Sequence, residues 1–77
     1  MSESLLLLSQ AIKKQRLKIG LSQEELANRC GFDRTYISML ERGKRNPSFL
    51  NVLKLAKGLE TSISKLTESY NGLNSDK

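Results

Sequence analysis

The stretch SQEELANRCGFDRTYISMLERG, from Ser22 to Gly43, decides how the 77-residue chain folds. Ser22 followed three residues later by Glu25 predicts a reciprocal capping box. The serine hydroxyl accepts from the Glu25 amide, the Glu25 carboxylate accepts from the Ser22 amide, and Glu24 and Glu25 both suit the positive end of a helix. That helix carries Leu26 and Ala27 inward and closes at Gly31, a residue that tolerates a left-handed backbone. Asp33 then reads as the N-cap of a further helix, Arg34 to Arg42, which Gly43 ends. Two short helices are thus joined by about three residues. Ala27 is small enough to let their axes approach, and Ile37 and Leu40 face inward opposite it. Left outside are Arg34, Thr35, Ser38, Met39 and Arg42, with Tyr36 at the flank.

Upstream, Leu5, Leu8 and Ile12 recur at helical spacing in a segment from about Ser4 to Ile19 that Gly20 terminates. Downstream, the basic loop Lys44-Arg45-Asn46 leads to Pro47-Ser48. This pair opens a helix with the expected stripe Phe49, Val52, Leu53 and Ala56, and Leu55 and Leu59 beside it. Ser62 caps a last, shorter segment with Ile63, Leu66 and Tyr70 on one face. Valine occurs once and no alternating pattern runs for any useful length, so the expectation is all-α: a compact five-helix domain over residues 1–70, with its helix-turn-helix unit at 22–42. Residues 71–77 read as a mobile polar tail.

A chain this short removes only about 60% of its unfolded surface from water, so one small core is the ceiling and a large catalytic cleft is unexpected. There is no histidine and a single cysteine, Cys30. A four-ligand zinc site, a His-assisted nucleophile and an internal disulfide are therefore out of reach, and neither a metal, a cofactor nor catalytic residues are expected. Cys30 reads as a small core residue. The longest apolar run, Leu5 to Leu8, is far below the ~18 residues of a membrane span, which points to a reduced, cytoplasmic protein.

The net charge is +5, and residues 10–46 account for all of it. Lys13, Lys14, Arg16, Lys18, Arg29, Arg34, Arg42, Lys44 and Arg45 there face Glu24, Glu25, Asp33 and Glu41. Localised excess of this kind suits a polyanion, because each Lys or Arg set on a phosphate releases condensed counterions. A solvated basic surface fits the same composition, and spacing separates the two. A short helix, a tight turn, and a second helix with polar side chains outward form the DNA-binding helix-turn-helix. Arg34 stands in the first turn of that second helix, where its fork can donate twice to guanine O6 and N7.

The run Leu21-Ser-Gln-Glu-Glu-Leu-Ala27 with Gly31, Arg34-Thr-Tyr-Ile-Ser38, Glu41-Arg-Gly43 and Arg45-Asn-Pro-Ser48 resembles the phage-repressor-like (XRE-type) helix-turn-helix family. Within it, Asp33-Arg-Thr-Tyr-Ile-Ser and Glu-Arg-Gly-Lys-Arg-Asn look like the small controller proteins of restriction-modification operons. The resemblance spans about residues 8–68. It implies base contacts from Arg34, Thr35, Tyr36 and Ser38, and backbone contacts from Gln23, Arg42, Lys44, Arg45 and Asn46, with Gln23 as the phosphate clamp. It also implies an inward, structural ion pair between Arg16 and Glu41. The expected partner is a double-stranded operator with dyad symmetry, bound by a homodimer that regulates its own and a neighbouring restriction-modification gene; RNA polymerase is a candidate further partner.

Several positions stay open. Arg29 and Arg42 read equally as solvated charges, Lys13, Lys14 and Lys18 as a solvated face, and Met39 as a thymine-methyl contact or a packing residue. Leu59, Ile63, Leu66 and Tyr70 are the expected dimer interface, within a dimerisation region of about 50–70, or else they complete the subunit's own core. Gln15, where the family carries an aliphatic residue, and Gly58, late in a helix, are departures expected to weaken that core. An antitoxin or phage-type repressor is the alternative biology. A protein-interaction module on the same fold is a further one, and an enzyme lacks any nucleophile, base and orienting group.

Overall fold

The expected capping box forms as drawn: the Ser22 amide donates to Glu25 Oε1 at 2.8 Å and the Glu25 amide to Ser22 Oγ at 3.0 Å. These bonds hold the Glu25 carboxyl below its usual range. In the computed structural model, which describes residues 3–68, they start α2 (Gln23–Cys30). This helix follows α1 (Glu3–Lys18) and precedes α3 (Arg34–Glu41), α4 (Phe49–Gly58) and α5 (Ile63–Leu66). Among the described residues there is no strand. Tyr70 and the tail 71–77 lie outside the described residues.

Gly31 ends α2 in the left-handed region at φ 74°, and the Phe32 amide donates to Ala27 O at 2.9 Å, so the α2–α3 turn is closed by the end of the helix itself. Gly20 and Gly43, at φ 77° and 70°, turn the chain after α1 and α3 as expected. Asp33 takes the N-cap position of α3, but its side chain makes no capping bond.

The core is Ile12 of α1, Leu26, Ala27 and Cys30 of α2, Ile37 and Leu40 of α3, Val52, Leu55 and Ala56 of α4, Leu59, and Leu66 of α5. Two expectations are corrected here. The inward stripe of α4 is Val52, Leu55 and Ala56, continued by Leu59, whereas Phe49 and Leu53 are 70% and 43% exposed. Apolar residues nearly encircle this helix, so spacing left its rotation open, and docking against α2 settled it. Leu59 and Leu66, expected at a subunit interface, are 0% and 4% exposed inside the subunit's own core, and Ile63 is half-buried against it. The short chain needs these side chains to complete its one small core.

The two sequence departures also read differently in three dimensions. Gln15 Nε2 donates to Leu59 O at 3.0 Å, satisfying a carbonyl at the end of α4. Gly58 lets α4 approach α2, since a Cβ there would stand 2.6 Å from Cys30 Sγ. Each departure thus has a packing role. Burial pushes the Cys30 thiol up, which keeps it protonated and inert. Gly58→Ala is expected to cost about 1–3 kcal/mol through overpacking, against the ~1 kcal/mol that helix propensity alone would return. In a Cys30→Ala background the obstruction is gone and the same change should stabilise. Thermal unfolding of the four proteins checks this; a Gly58→Ala single variant more stable than the parent, or one that gains nothing from Cys30→Ala, contradicts it.

Candidate nucleic-acid interface

Arg16 builds the frame. Its guanidinium is almost wholly buried and forks onto one carboxylate, Nε to Glu41 Oε2 at 2.6 Å and Nη2 to Glu41 Oε1 at 3.0 Å, while Nη1 donates to Leu21 O at 2.8 Å. One side chain of α1 thereby ties the C-terminal turn of α3 to the entry of α2, fixing the angle between the two helices of the unit. Glu41 Oε1 also accepts from Gln23 Nε2 at 3.1 Å. The first side chain of α2 is thus anchored to the same carboxylate, half-buried beside the helix end.

At 3.6 residues per turn, Arg34, Ser38 and Arg42 fall one above another on α3, with Thr35 and Met39 alongside, and Ile37 and Leu40 oppose them in the core. Arg34, Thr35 and Arg42 are exposed; Ser38 and Met39 are half-buried. The face therefore combines one unobstructed guanidinium at the N-terminal turn with small hydroxyls, a set able to donate to base edges. Arg42 Nε leans back on Ser38 O at 3.4 Å. Lys44, Arg45 and Asn46 follow, all exposed, in the loop from α3 to α4.

Tyr36 joins this loop to the helix. The Arg45 guanidinium lies 5.4 Å from the centre of its ring, and Phe32 meets the ring edge-on at 4.8 Å. Thr35, Tyr36, Met39, Arg45 and Asn51 line one open concavity of about 420 Å³, so loop and helix present a common wall. Asn51 was missed in the sequence. Its Nδ2 donates to Tyr36 Oη at 2.9 Å, and the signal that could have found it is a lone amide within the apolar run of α4. Arg29 points elsewhere, bonding Glu60 Oε2 at 2.7 Å and Gly58 O at 3.1 Å. Lys14, Lys18 and Lys65 line a separate shallow groove between α1 and α5. Among the described residues no three metal-ligating side chains converge, and no helix is long and apolar enough to cross a membrane.

Residues 12–66 match the family model described as helix-turn-helix. The chain belongs to the helix-turn-helix family. Within this family it is 44% identical over 54 residues to control protein C.MunI of Mycoplasma sp, covering 70% of this chain and 73% of the relative. It is 49% identical over 55 residues to control protein C.BamHI of Bacillus amyloliquefaciens, covering 70% and 68%. Among solved structures it superimposes on the restriction-modification controller protein C.AhdI from Aeromonas hydrophila with a TM-score of 0.81 at 42% identity, covering 84% of this chain and 98% of that one. A second controller, C.Esp1396I, solved as a tetramer on its natural 35 base-pair operator, matches with a TM-score of 0.83 at 42% identity over 90% and 91% of the two chains. These helix-turn-helix relatives are named for control, none of them for an enzymatic reaction.

Proposed function

We infer that the protein is a sequence-specific, double-stranded DNA-binding regulator of transcription. It inserts α3 into the major groove and acts as a controller of its own and a neighbouring restriction-modification gene. The observation that carries this reading is the outward row Arg34, Thr35, Ser38 and Arg42 on a helix whose angle the buried Arg16–Glu41 pair sets. Arg34, Thr35, Tyr36 and Ser38 serve as base-facing groups. Gln23, Arg42, Lys44, Arg45 and Asn46 contact phosphates on either side, Gln23 from a position that Glu41 holds.

A twofold operator calls for a twofold protein. Phe49, Leu50 and Leu53 of α4 are 70%, 67% and 43% exposed and form one apolar face. A second copy of the chain would cover it, replacing Leu59 and Leu66, which are interior, as the centre of the interface. Paired this way, the two α3 helices would read half-sites one turn, ~34–36 Å, apart. RNA polymerase would meet this dimer from the neighbouring promoter, in the cytoplasm.

Selection from a pool of random duplexes should yield a dyad-symmetric consensus, and sedimentation should find two chains on it. With four or five phosphates neutralised per subunit, log K should fall against log salt with a slope of about −7 to −9. A pool that yields no consensus, or one chain bound with a flat salt response, contradicts the reading.

A further inference from the structure

Asn51 sits in the first turn of α4, on the flank of the core stripe opposite Phe49 and Leu53, and reaches across to the recognition helix. Asparagine is a poor helix former, and the capping bond that α4 gains here uses the Asn51 backbone amide, which donates to Ser48 Oγ at 3.2 Å. The side chain is therefore free for a different task, and it donates Nδ2–H to Tyr36 Oη at 2.9 Å. A phenol oxygen that accepts this bond on a lone pair keeps its own proton for donation elsewhere. Both the incoming amide bond and the Arg45 guanidinium over the ring draw electron density from the oxygen, making that O–H the stronger donor. Phe32 packs edge-on against the ring, and Tyr36 and Asn51 together line an open concavity that Phe32, Thr35, Met39 and Arg45 also border.

We propose that Asn51 is a positioning residue for DNA recognition: by donating to Tyr36 Oη it holds the tyrosine hydroxyl as a hydrogen-bond donor to an acceptor atom on the DNA. This rests on the protein being a DNA-binding regulator. Phosphate oxygens and base acceptors such as guanine O6 and N7 or thymine O4 share the required chemistry.

The test is a double-mutant cycle of Asn51→Ala and Tyr36→Phe, with affinity read on the selected operator and on a random duplex at one salt concentration. Asn51→Ala should lower operator affinity about 3–10-fold, the worth of one hydrogen bond, and should cost nothing further in the Tyr36→Phe background. The Tyr36 ring Cζ resonance of the DNA-free protein should move in Asn51→Ala, which keeps its helical fold. Asn51→Asp can only accept, so the phenol O–H turns back to donate to it, and the variant should lose at least as much operator affinity as Asn51→Ala. Loss confined to the operator assigns the acceptor to a base edge, and equal loss on both duplexes assigns it to a phosphate. Full operator affinity in Asn51→Ala, or a penalty unchanged by Tyr36→Phe, overturns the proposal. Failure of the parent protein to prefer any sequence overturns the DNA-binding reading instead.

Discussion

Replacing Arg16 by alanine is expected to lower the stability of the fold by about 3–5 kcal/mol, the cost of stripping one partner from a buried ion pair. Both side chains are nearly dry, with 9% and 3% of the Arg16 and Glu41 side chains exposed. Removing the guanidinium leaves Glu41 Oε2 and Leu21 O without the donors they now have, and Gln23 alone on the carboxylate. Domains of this size have about 4–12 kcal/mol in all. At about 4–8 °C per kcal/mol, the unfolding midpoint should fall by more than ~12 °C. Because the pair is shielded from ions, added salt should change this loss little. The exposed pair Arg29–Glu60, 42% and 61% accessible, should contribute below about 1 kcal/mol and fade with salt. Arg16→Met with Glu41→Leu should recover much of the stability, since neither buried charge then lacks a partner. A single Arg16→Ala variant within 1 kcal/mol of the parent would falsify this account of the frame.

Arg34→Ala should act on recognition and leave stability alone, because the side chain is exposed at the N-terminal turn of α3. A guanidinium donating twice to one guanine discriminates by ~1–3 kcal/mol, so a dimer reading two half-sites should lose about 2–6 kcal/mol on its operator. On a random duplex the same change removes one positive charge per subunit and should reduce the salt slope by roughly two for the dimer. The measurement is the ratio of operator to random-duplex affinity at matched salt. Arg45→Ala should move both affinities together, apart from the share owed to its contact with the Tyr36 ring. Equal loss on the two duplexes for Arg34→Ala would remove it from the base-reading set.

The local signals were legible because their physics is local. The Ser22–Glu25 box, the left-handed Gly31 and Gly43, and the serine caps at Ser48 and Ser62 each depend on atoms within a few residues, and each appears in the structure. Asp33 shows the limit of such reasoning, since it holds the N-cap backbone geometry without a side-chain bond. The row Arg34, Ser38 and Arg42 was legible for the same reason: helical spacing alone puts these residues on one side.

What the chain order by itself determined, then, is where α2, α4 and α5 begin, the turns at Gly31 and Gly43, and which side chains of the recognition helix share a face; it did not foresee that α5 closes at Thr67, short of the expected stripe to Tyr70. Tertiary packing decided the rotation of α4, where apolar residues nearly all round leave several burials close in energy until Gly58 meets Cys30. It turned Leu59 inward and Phe49, Leu50 and Leu53 outward, because the small core has room for one apolar face of that helix, and it set Leu66 of α5 into the same core. It also brought Asn51 to Tyr36 and Gln15 to the Leu59 carbonyl, contacts across 15 and 44 residues of chain that exist only once the helices have docked.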